Sequence, residues 1–224
     1  MVSFFHGGTL AAPGARRRAW LDSLLIDHAL LRLVWTNAGI VVPGVLYRSN
    51  HPTPGRLAAM ARRWQLKSVL NLRGVTTTGS YALSREQALR LGLEVIDLPL
   101  SSGHAPRREA LERLVAVLAH LPAPTLMHCK SGADRTGFAA AIYLLLQGAT
   151  PAVARRQLSW RWGHLAHSRA GVLDAVLDAF ARRADPAQDF AQWAHTGYDP
   201  EVVTAAFKAG WGAKLVQERL LGRE

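Results

Sequence analysis

The sequence predicts an α/β fold: a central, mostly parallel sheet flanked by helices, with an all-helical C-terminal extension. Short apolar runs typical of buried strands alternate with helical periodicities between residues 40 and 148, which is the pattern of βαβ units. After Gly148 only helical patterns follow. We therefore predict an N-terminal arm and helix (1–39), a core (40–148) and a helical extension packed on that core (149–224).

The predicted elements follow in chain order. An irregular arm (1–14) precedes an apolar-periodic helix (17–35), and Pro43-Gly44 divides a β-rich run (40–47) into a turn or an edge strand pair. The other predicted strands are 68–72, 93–98 and 125–128. The predicted core helices are 54–65, 84–91, 106–121 and 136–147. Those of the extension are 151–160, 168–183, 186–195 and 200–221.

Local signals set several of these helix ends. Thr53-Pro54 combines an N-cap hydroxyl with a proline at the first helical position, and Gly92 stops the helix that precedes it. Asp185-Pro186 and Asp199-Pro200 start two helices of the extension in the same way.

Composition narrows the class of protein. The chain has 224 residues, of which 49% are hydrophobic, so it can bury a sizeable core. Its single cysteine excludes an internal disulfide framework and indicates a reducing compartment. We find no signal peptide, and the longest apolar run (138–146) is about half the roughly 20 residues that a membrane helix needs. These features predict a cytoplasmic protein.

The formal net charge of +11 comes mostly from arginine. Such an excess favours anionic partners: nucleic acid, an anionic lipid surface or phosphorylated small molecules. Solvated helix faces rich in arginine are an equally open interpretation.

The most informative stretch is 128–137, His-Cys-Lys-Ser-Gly-Ala-Asp-Arg-Thr-Gly, which holds the only cysteine, Cys129. A predicted strand enters it and a predicted helix leaves it, so its backbone N–H groups can form an anion cradle at the carboxyl end of the sheet. The helix N-terminus and Arg135 would favour the thiolate form of Cys129, which makes it a nucleophile. The guanidinium fork of Arg135 matches two phosphate oxygens. A lone cysteine is more often a small buried hydrophobe, but that interpretation does not account for the other residues of the loop.

The remaining loop residues have predicted roles as well. The hydroxyl of Thr136 would donate to Cys129 and help the sulfur to leave, and His128 would order the loop through hydrogen bonds to the backbone. Gly132 and Gly137 permit close backbone approach. The residues expected to bind phosphate oxygens are Lys130, Ser131, Gly132 and Ala133.

The pattern His-Cys-x5-Arg-Thr-Gly resembles the phosphate-binding signature of the cysteine-dependent protein tyrosine and dual-specificity phosphatase superfamily, in particular its small bacterial and atypical members. The similarity extends over residues 40–148 and includes Arg48-Ser49 and Asn71-Leu72-Arg73. The resemblance implies a dual-specificity phosphatase-like fold, Cys129 as nucleophile, Arg135 as phosphate binder and a phosphocysteine intermediate. It implies no metal and no other cofactor.

Two aspartates compete for the role of general acid, which protonates the leaving alkoxide. The superfamily places this aspartate roughly thirty residues before the cysteine, a spacing that Asp97 has, but Asp97 lies in a strand-like run and the loop after it (101–104) has no carboxylate. Asp134 lies inside the cysteine loop, where it resembles the candidate acid of myotubularin-like and Sac-like phosphoinositide phosphatases. Its alternative role is a salt bridge or a cap on the helix start. We favour Asp134, then Asp97, and place His104 third.

Three cationic side chains besides Arg135 affect which substrate the site is expected to bind. Lys130, Arg48 and Arg73 would add positive potential around the pocket, which favours a multiply phosphorylated or lipid-headgroup substrate over a phosphotyrosine peptide. Ion pairs of Arg48 and Arg73 with nearby carboxylates are equally open.

The sequence thus predicts a phosphomonoester hydrolase that acts on a phosphoprotein or on a phosphorylated lipid or inositol. The alternative is a catalytically weak phosphate- or phospholipid-binding module. An anionic membrane surface is a further candidate partner, because the extension mixes tryptophans with arginines, although packing of the tryptophans is the favoured interpretation. Nucleic acid is not expected, since charge alone supports it. His164 and His167 lack a third metal ligand.

Overall fold

The structure is a computed structural model that describes residue 5, residues 10–27 and residues 34–221, with side chains described as far as residue 210. Contacts divide these residues into two compact units. The first contains the described residues up to Leu100 together with His120–Thr136, and it holds the whole sheet. The second contains Ser101–Ala119 and the described residues from Gly137 onward, and it is helical. The predicted division of the chain at residues 39 and 148 stays a prediction.

Among the described residues, one mixed sheet contains five strands. The strands are β1 Gly39–Val42, β2 Leu46–Ser49, β3 Ser68–Asn71, β4 Glu94–Asp97 and β5 Thr125–His128. Their order across the sheet is β1-β2-β5-β3-β4, with β1 and β2 antiparallel and every other neighbouring pair parallel. This arrangement confirms the predicted mostly parallel sheet. Pro43-Gly44 does form a turn, with Gly44 at φ +73°. Of the two strands that this turn joins, β1 is an edge strand and β2 is not.

The α-helices confirm the helical part of the predicted fold class. They are α1 Ala15–Leu21, α2 Pro54–Trp64, α3 Gly79–Arg90, α4 Arg108–Ala119, α5 Asp134–Leu146, α6 Pro151–Arg155, α7 Val172–Ala181, α8 Phe190–Thr196 and α9 Pro200–Leu221. A π-helical turn, Asp22–Ile26, continues α1. The predicted helix 17–35 lies outside the described residues after Asp27, apart from its last two positions.

The third helix starts earlier than its sequence pattern predicts. Two interactions place its N-terminus at Gly79 instead of Ser84: Thr78 Oγ1 accepts a hydrogen bond from Tyr81 N–H at 3.3 Å, and Asp22 Oδ2 accepts one from Gly79 N–H at 2.7 Å. A Cβ at Gly79 would lie 2.1 Å from the carbonyl oxygen of Ala19. Glycine therefore allows α1 and α3 to pack closely, a tertiary requirement that no local pattern predicts.

The first unit buries an apolar cluster around the sheet. Its aromatic component is the stack of Tyr47 on Trp64, whose ring centroids are 4.4 Å apart. The aliphatic members of the cluster are Leu57, Met60, Leu66, Val69, Leu93 and Leu126. Together with Ala88 of α3, these residues come from α2, the central strands and the loops that precede β3 and β4, so the alternating elements of the sequence build this cluster.

The second unit departs most from the predicted helix bounds. The predicted helix 151–160 ends at Arg155, because consecutive tight turns follow and Gly163 adopts φ +77° at the end of a 3-10 turn, Trp160–Trp162. A second 3-10 turn, Arg169–Gly171, precedes α7. The buried aromatics of this unit are Phe138, Tyr143, Phe180, Phe190, Trp193 and Tyr198. Within the described part of the chain, no helix is both long enough and apolar enough to cross a membrane.

Candidate active site

The cysteine loop joins β5 to α5 at the carboxyl edge of the sheet. His128 is the last residue of β5 and pairs in register with Ser49 and Asn71 of its two neighbours. The helix begins at Asp134, two residues earlier than predicted. Cys129 lies in the turn between strand and helix and is buried. This is the strand, loop and helix N-terminus arrangement that the sequence predicts for an anion cradle.

The loop is held open through its carbonyl groups. Three successive carbonyls accept hydrogen bonds: Lys130 O from His51 N–H (3.2 Å), Ser131 O from Asn37 Nδ2 (2.9 Å) and Gly132 O from Arg48 Nη2 (2.7 Å). The carbonyl and the N–H group of a trans peptide point in opposite directions. The N–H groups of the same three peptides therefore point away from the residues that bind the carbonyls. On that side, Gly132 N–H donates to Cys129 Sγ at 3.3 Å.

Gly132 is required by its surroundings. Its φ is +76°, and a Cβ there would lie 2.7 Å from the backbone of both Ser49 and Asn50. The loop can therefore approach the end of β2 this closely only with glycine at this position. The predicted role of Gly132 in close backbone approach matches this geometry.

Arg48 contacts the loop and is fully buried. Burial lowers the pKa of Arg48 to about 10, and its attraction to the Cys129 thiolate opposes that shift. The guanidinium is still charged at neutral pH, so it places a positive charge beside the sulfur. Sequence reasoning assigned Arg48 to substrate binding, whereas its observed hydrogen bond goes to the backbone of Gly132.

Arg73 forms an ion pair that the sequence left open. Its Nη1 and Nη2 donate to Oδ2 and Oδ1 of Asp27 at 2.8 and 3.0 Å, and the Asp27 side chain is only 4% exposed. Lys130 Nζ lies 3.5 Å from Asp27 Oδ1. The Asp27 carboxylate thus neutralises the charge of Arg73 and also attracts the ammonium group of Lys130. No motif marks Asp27 in the sequence, because its partners come from distant segments.

Two histidines lie behind the loop. His128 Nδ1 donates to Cys129 O at 3.3 Å, the kind of backbone contact expected of a loop-ordering residue. Its ring meets that of His51 edge-on, with centroids 4.7 Å apart. His51 Nδ1 accepts from Arg73 Nη1 at 3.3 Å while its Nε2 donates to Ser80 O at 3.1 Å, an arrangement that requires the neutral ring.

The two candidate acids have different surroundings. Asp97 has both oxygens occupied: Asn71 Nδ2 donates to Oδ1 and the Tyr81 hydroxyl donates to Oδ2, each at 2.7 Å. Burial and then these contacts with Asp97 raise the pKa of Tyr81 to about 12. Both carboxylate oxygens of Asp97 are thus engaged by side chains of the protein. Asp134 is half-buried in the first turn of α5. His104, the third candidate, is exposed and contacts Ser101 Oγ at 3.2 Å.

The predicted hydrogen bond from Thr136 to Cys129 is not formed. Thr136 Oγ1 and Arg135 Nε are both buried and have no hydrogen-bond partner within the described residues. The group that donates a hydrogen bond to the sulfur is instead the Gly132 N–H. Leaving a buried polar group without a partner costs about 1–3 kcal/mol. An oxyanion in the loop would satisfy such donors.

The described residues include no cluster of three or more histidine, cysteine or acidic side chains placed to hold a metal. His164, one of the spaced pair, is buried and its Nε2 lies 2.6 Å from Asp174 Oδ2. His167 is exposed.

Solved structures of other proteins share this fold. Among solved structures, TpbA of P. aeruginosa is 23% identical with a TM-score of 0.51, covering 77% of this chain and 91% of its own. A variant of TpbA solved in complex with pTyr gives the same values. A DUF442 protein of Shewanella putrefaciens is 19% identical with a TM-score of 0.53, covering 67% of this chain and 95% of its own. These likenesses confirm the fold.

No curated protein sequence matches the chain. The family model described as "PTP-SAK: Swiss Army Knife protein, DSP-PTPase phosphatase domain" matches residues 41–184, which passes the end of the core predicted at residue 148. Since this match covers more than half of the chain, the protein belongs to the Swiss Army Knife group of cysteine-dependent, dual-specificity-like phosphatase domains.

Proposed function

We propose that this chain hydrolyses phosphate monoesters through a phosphocysteine intermediate. The observation that carries the proposal is the Gly132 N–H directed at the buried Cys129 Sγ, in a loop whose carbonyls are bound on the opposite side. A sulfur held in this way attacks phosphorus as the thiolate. The S–P bond forms, the P–O bond to the alcohol breaks, and the alkoxide leaves with a proton from a general acid. Water then cleaves the S–P bond, releasing phosphate and the thiolate.

Arg135 is the proposed phosphate binder, and the loop residues Lys130 to Ala133 supply the backbone cradle. We retain Thr136 as a donor, but to the sulfur or to a phosphate oxygen of the intermediate, because its buried hydroxyl has no partner among the described residues. Arg48 is reassigned: together with His128 it orders the loop, and its charge stabilises the thiolate.

Asp134 is the proposed general acid. Its rival, Asp97, accepts two short hydrogen bonds from Asn71 and Tyr81, and these bonds tie β4 to β3 and α3. Asp134 also meets the requirement of position, because it follows the cradle directly in the chain.

The proposed substrate is a phosphoprotein or a phosphorylated lipid or inositol. Pairing with Asp27 removes Arg73 from the cations available to the substrate and leaves Lys130, which is 44% exposed, as the accessible loop cation. One accessible cation favours a substrate with a single additional anionic group near the reacting phosphate over a substrate with many phosphate groups. Phosphotyrosine joins the substrate panel because a TpbA variant was solved with pTyr.

The test is hydrolysis of a generic aryl phosphate by purified protein in the presence of chelator, followed by a panel of phosphoamino acids, phosphoinositides and soluble inositol phosphates. Wild type should release phosphate, and Cys129→Ser should not. Equal release by the two proteins would overturn the proposal. The loop 101–104, which has no carboxylate, supports a second candidate, a phosphate-binding module. Stoichiometric phosphate binding by wild type without turnover would select it.

A further inference from the structure

The segment between the cysteine loop and α7 has an unusual charge pattern. No aspartate or glutamate occurs from residue 138 to residue 171, while four arginines do. After α6, this segment runs through tight turns and not through a helix: Trp162 N–H donates to Ser159 O at 3.0 Å, Gly163 N–H to Trp160 O at 2.8 Å and His164 N–H to Ser159 O at 3.1 Å. Hydrogen bonds among their own backbone groups therefore hold residues 159–164 in consecutive tight turns.

Apolar side chains of this segment face solvent. Trp160 is 84% exposed and Leu165 is 63% exposed. Buried residues on either side hold them there: Leu158 is buried, and His164 is buried against Asp174 at 2.6 Å. A large exposed indole held on an ordered turn is a costly arrangement in water, and it marks a surface that meets a partner.

Arginines without counter-ions accompany these apolar residues. Arg156, Arg161 and Arg169 are exposed, and none makes an ion pair with another described residue. Arg161 lies over the ring of Trp162 at 5.2 Å, a cation–π contact that leaves its charge at the surface. Arg155 differs, because it pairs with Asp174 and Asp178 of α7.

We propose that this surface, formed by Arg156, Trp160, Arg161, Leu165 and Arg169 and here named the Trp160 surface, binds an anionic lipid bilayer. Tryptophan has an apolar body with a polar N–H and is stable at the level of lipid headgroups, where an aliphatic residue such as Leu165 reaches the acyl boundary. Unpaired arginines match the negative headgroups, each contributing a favourable interaction that salt screens. The proposal concerns the second unit alone and does not depend on the proposed catalytic function.

A single-stranded nucleic acid fits the same residues less well. Base stacking uses successive aromatic rings along a basic groove. Here Trp160 is exposed by itself, since the neighbouring Trp162 is covered by Arg161, and Leu165 offers nothing to a base. The combination of one indole, one leucine and three arginines favours the bilayer.

The experiment is flotation of the full chain with vesicles of phosphatidylcholine alone and of phosphatidylcholine and phosphatidylglycerol in equal parts. We expect binding to the mixed vesicles, little binding to the neutral ones, and release at about 1 M salt, where the Debye length is about 3 Å. Trp160→Ser should reduce the partition coefficient about tenfold. Arg156→Gln/Arg161→Gln should reduce it about fivefold for each charge removed.

Matched variants separate the Trp160 surface from general charge and hydrophobicity. Arg62→Gln/Arg63→Gln removes two exposed charges from α2, and Leu89→Ser, at a residue 53% exposed, replaces an exposed apolar side chain by serine as Trp160→Ser does. These controls should change the partition coefficient less than about twofold, and circular dichroism should report the same fold for all variants.

Three results would overturn the proposal. The first is equal vesicle binding by wild type and Trp160→Ser. The second is a loss of binding in the control variants that matches the loss in the test variants. The third is another occupant: Trp160-dependent binding of a single-stranded oligonucleotide without vesicle binding, or a dimer in sedimentation that Trp160→Ser dissociates.

Discussion

Asp27→Asn tests how a distant carboxylate controls the charge of the cysteine loop. The substitution keeps the shape of the side chain but removes the negative charge that Arg73 contacts at 2.8 and 3.0 Å and that Lys130 approaches at 3.5 Å. Because Asp27 is buried and the Arg73 side chain is only 11% exposed, loss of one partner should cost about 3–5 kcal/mol of unfolding free energy. A domain with a stability well above about 5 kcal/mol remains folded after such a loss.

The effect on substrate binding has the opposite sign. Lys130 is 44% exposed, so its attraction to Asp27 is screened and is worth at most about 1 kcal/mol. Without Asp27, this energy becomes available to a second anionic group of the substrate. We expect KM to fall about fivefold for substrates with such a group, with kcat unchanged and with no effect on a simple aryl phosphate.

The assay pairs urea unfolding with Michaelis kinetics at low temperature, where the variant is folded. Lys130→Gln supplies the matched background: if Asp27 acts through Lys130, Asp27→Asn should no longer lower KM there. An unchanged or higher KM for the folded single variant would refute the reasoning. An equal fall of KM in both backgrounds would assign the effect to Arg73 instead.

Three further substitutions test the site. Gly132→Ala should lower kcat/KM about a hundredfold, because relief of the 2.7 Å contacts must move the loop; Gly92→Ala has the same strain at φ +69° with open space around it and should retain activity. Asp134→Asn should slow esters with poor leaving groups more than those with good ones, and an Asp97→Asn variant with that selectivity would reverse our assignment. Tyr81→Phe tests linkage: the folded pKa of Tyr81, about 12, exceeds its ordinary value of 10.0, so wild type should lose unfolding free energy relative to the variant between these pH values. Parallel stability curves in urea would contradict that expectation.

The sheet could be predicted because its signals are local. Each central strand is a short apolar run bounded by turn residues, and alternation with helices implies parallel pairing. The early start of α3 could not be predicted in this way, because Gly79 is placed by the approach of Ala19 and by the carboxylate of Asp22. The helix predicted over 151–160 failed for a related reason: its apolar and basic residues suit a helix, but the ends of the turns are set by Gly163 and by the buried contact of His164 with Asp174.

The cysteine loop was predictable to the same extent and for the same reason. The roles proposed for Cys129 and Arg135 rest on their spacing, since the chemistry of a phosphate cradle needs a nucleophile and a guanidinium fork within one turn, and the close approach at Gly132 is the part that the structure shows. No local sequence pattern indicates which residues donate hydrogen bonds to the loop carbonyls. Asn37 precedes the loop by 94 residues and Arg48 by 84, and only the fold brings them to it.

Arg48 and Arg73 show why residue type alone did not predict the potential of the site. Both arginines belong to motifs that resemble the same family, and for both the sequence left substrate binding and an ion pair equally open. Arg48 lies in β2, is buried and donates to Gly132 O, and its charge interacts with Cys129. Arg73 meets Asp27, 46 residues away in sequence, and its charge is cancelled. The positive charge that a substrate meets therefore depends on which cations pair with carboxylates: Asp27 pairs with Arg73, and Lys130, 44% exposed, stays accessible to solvent.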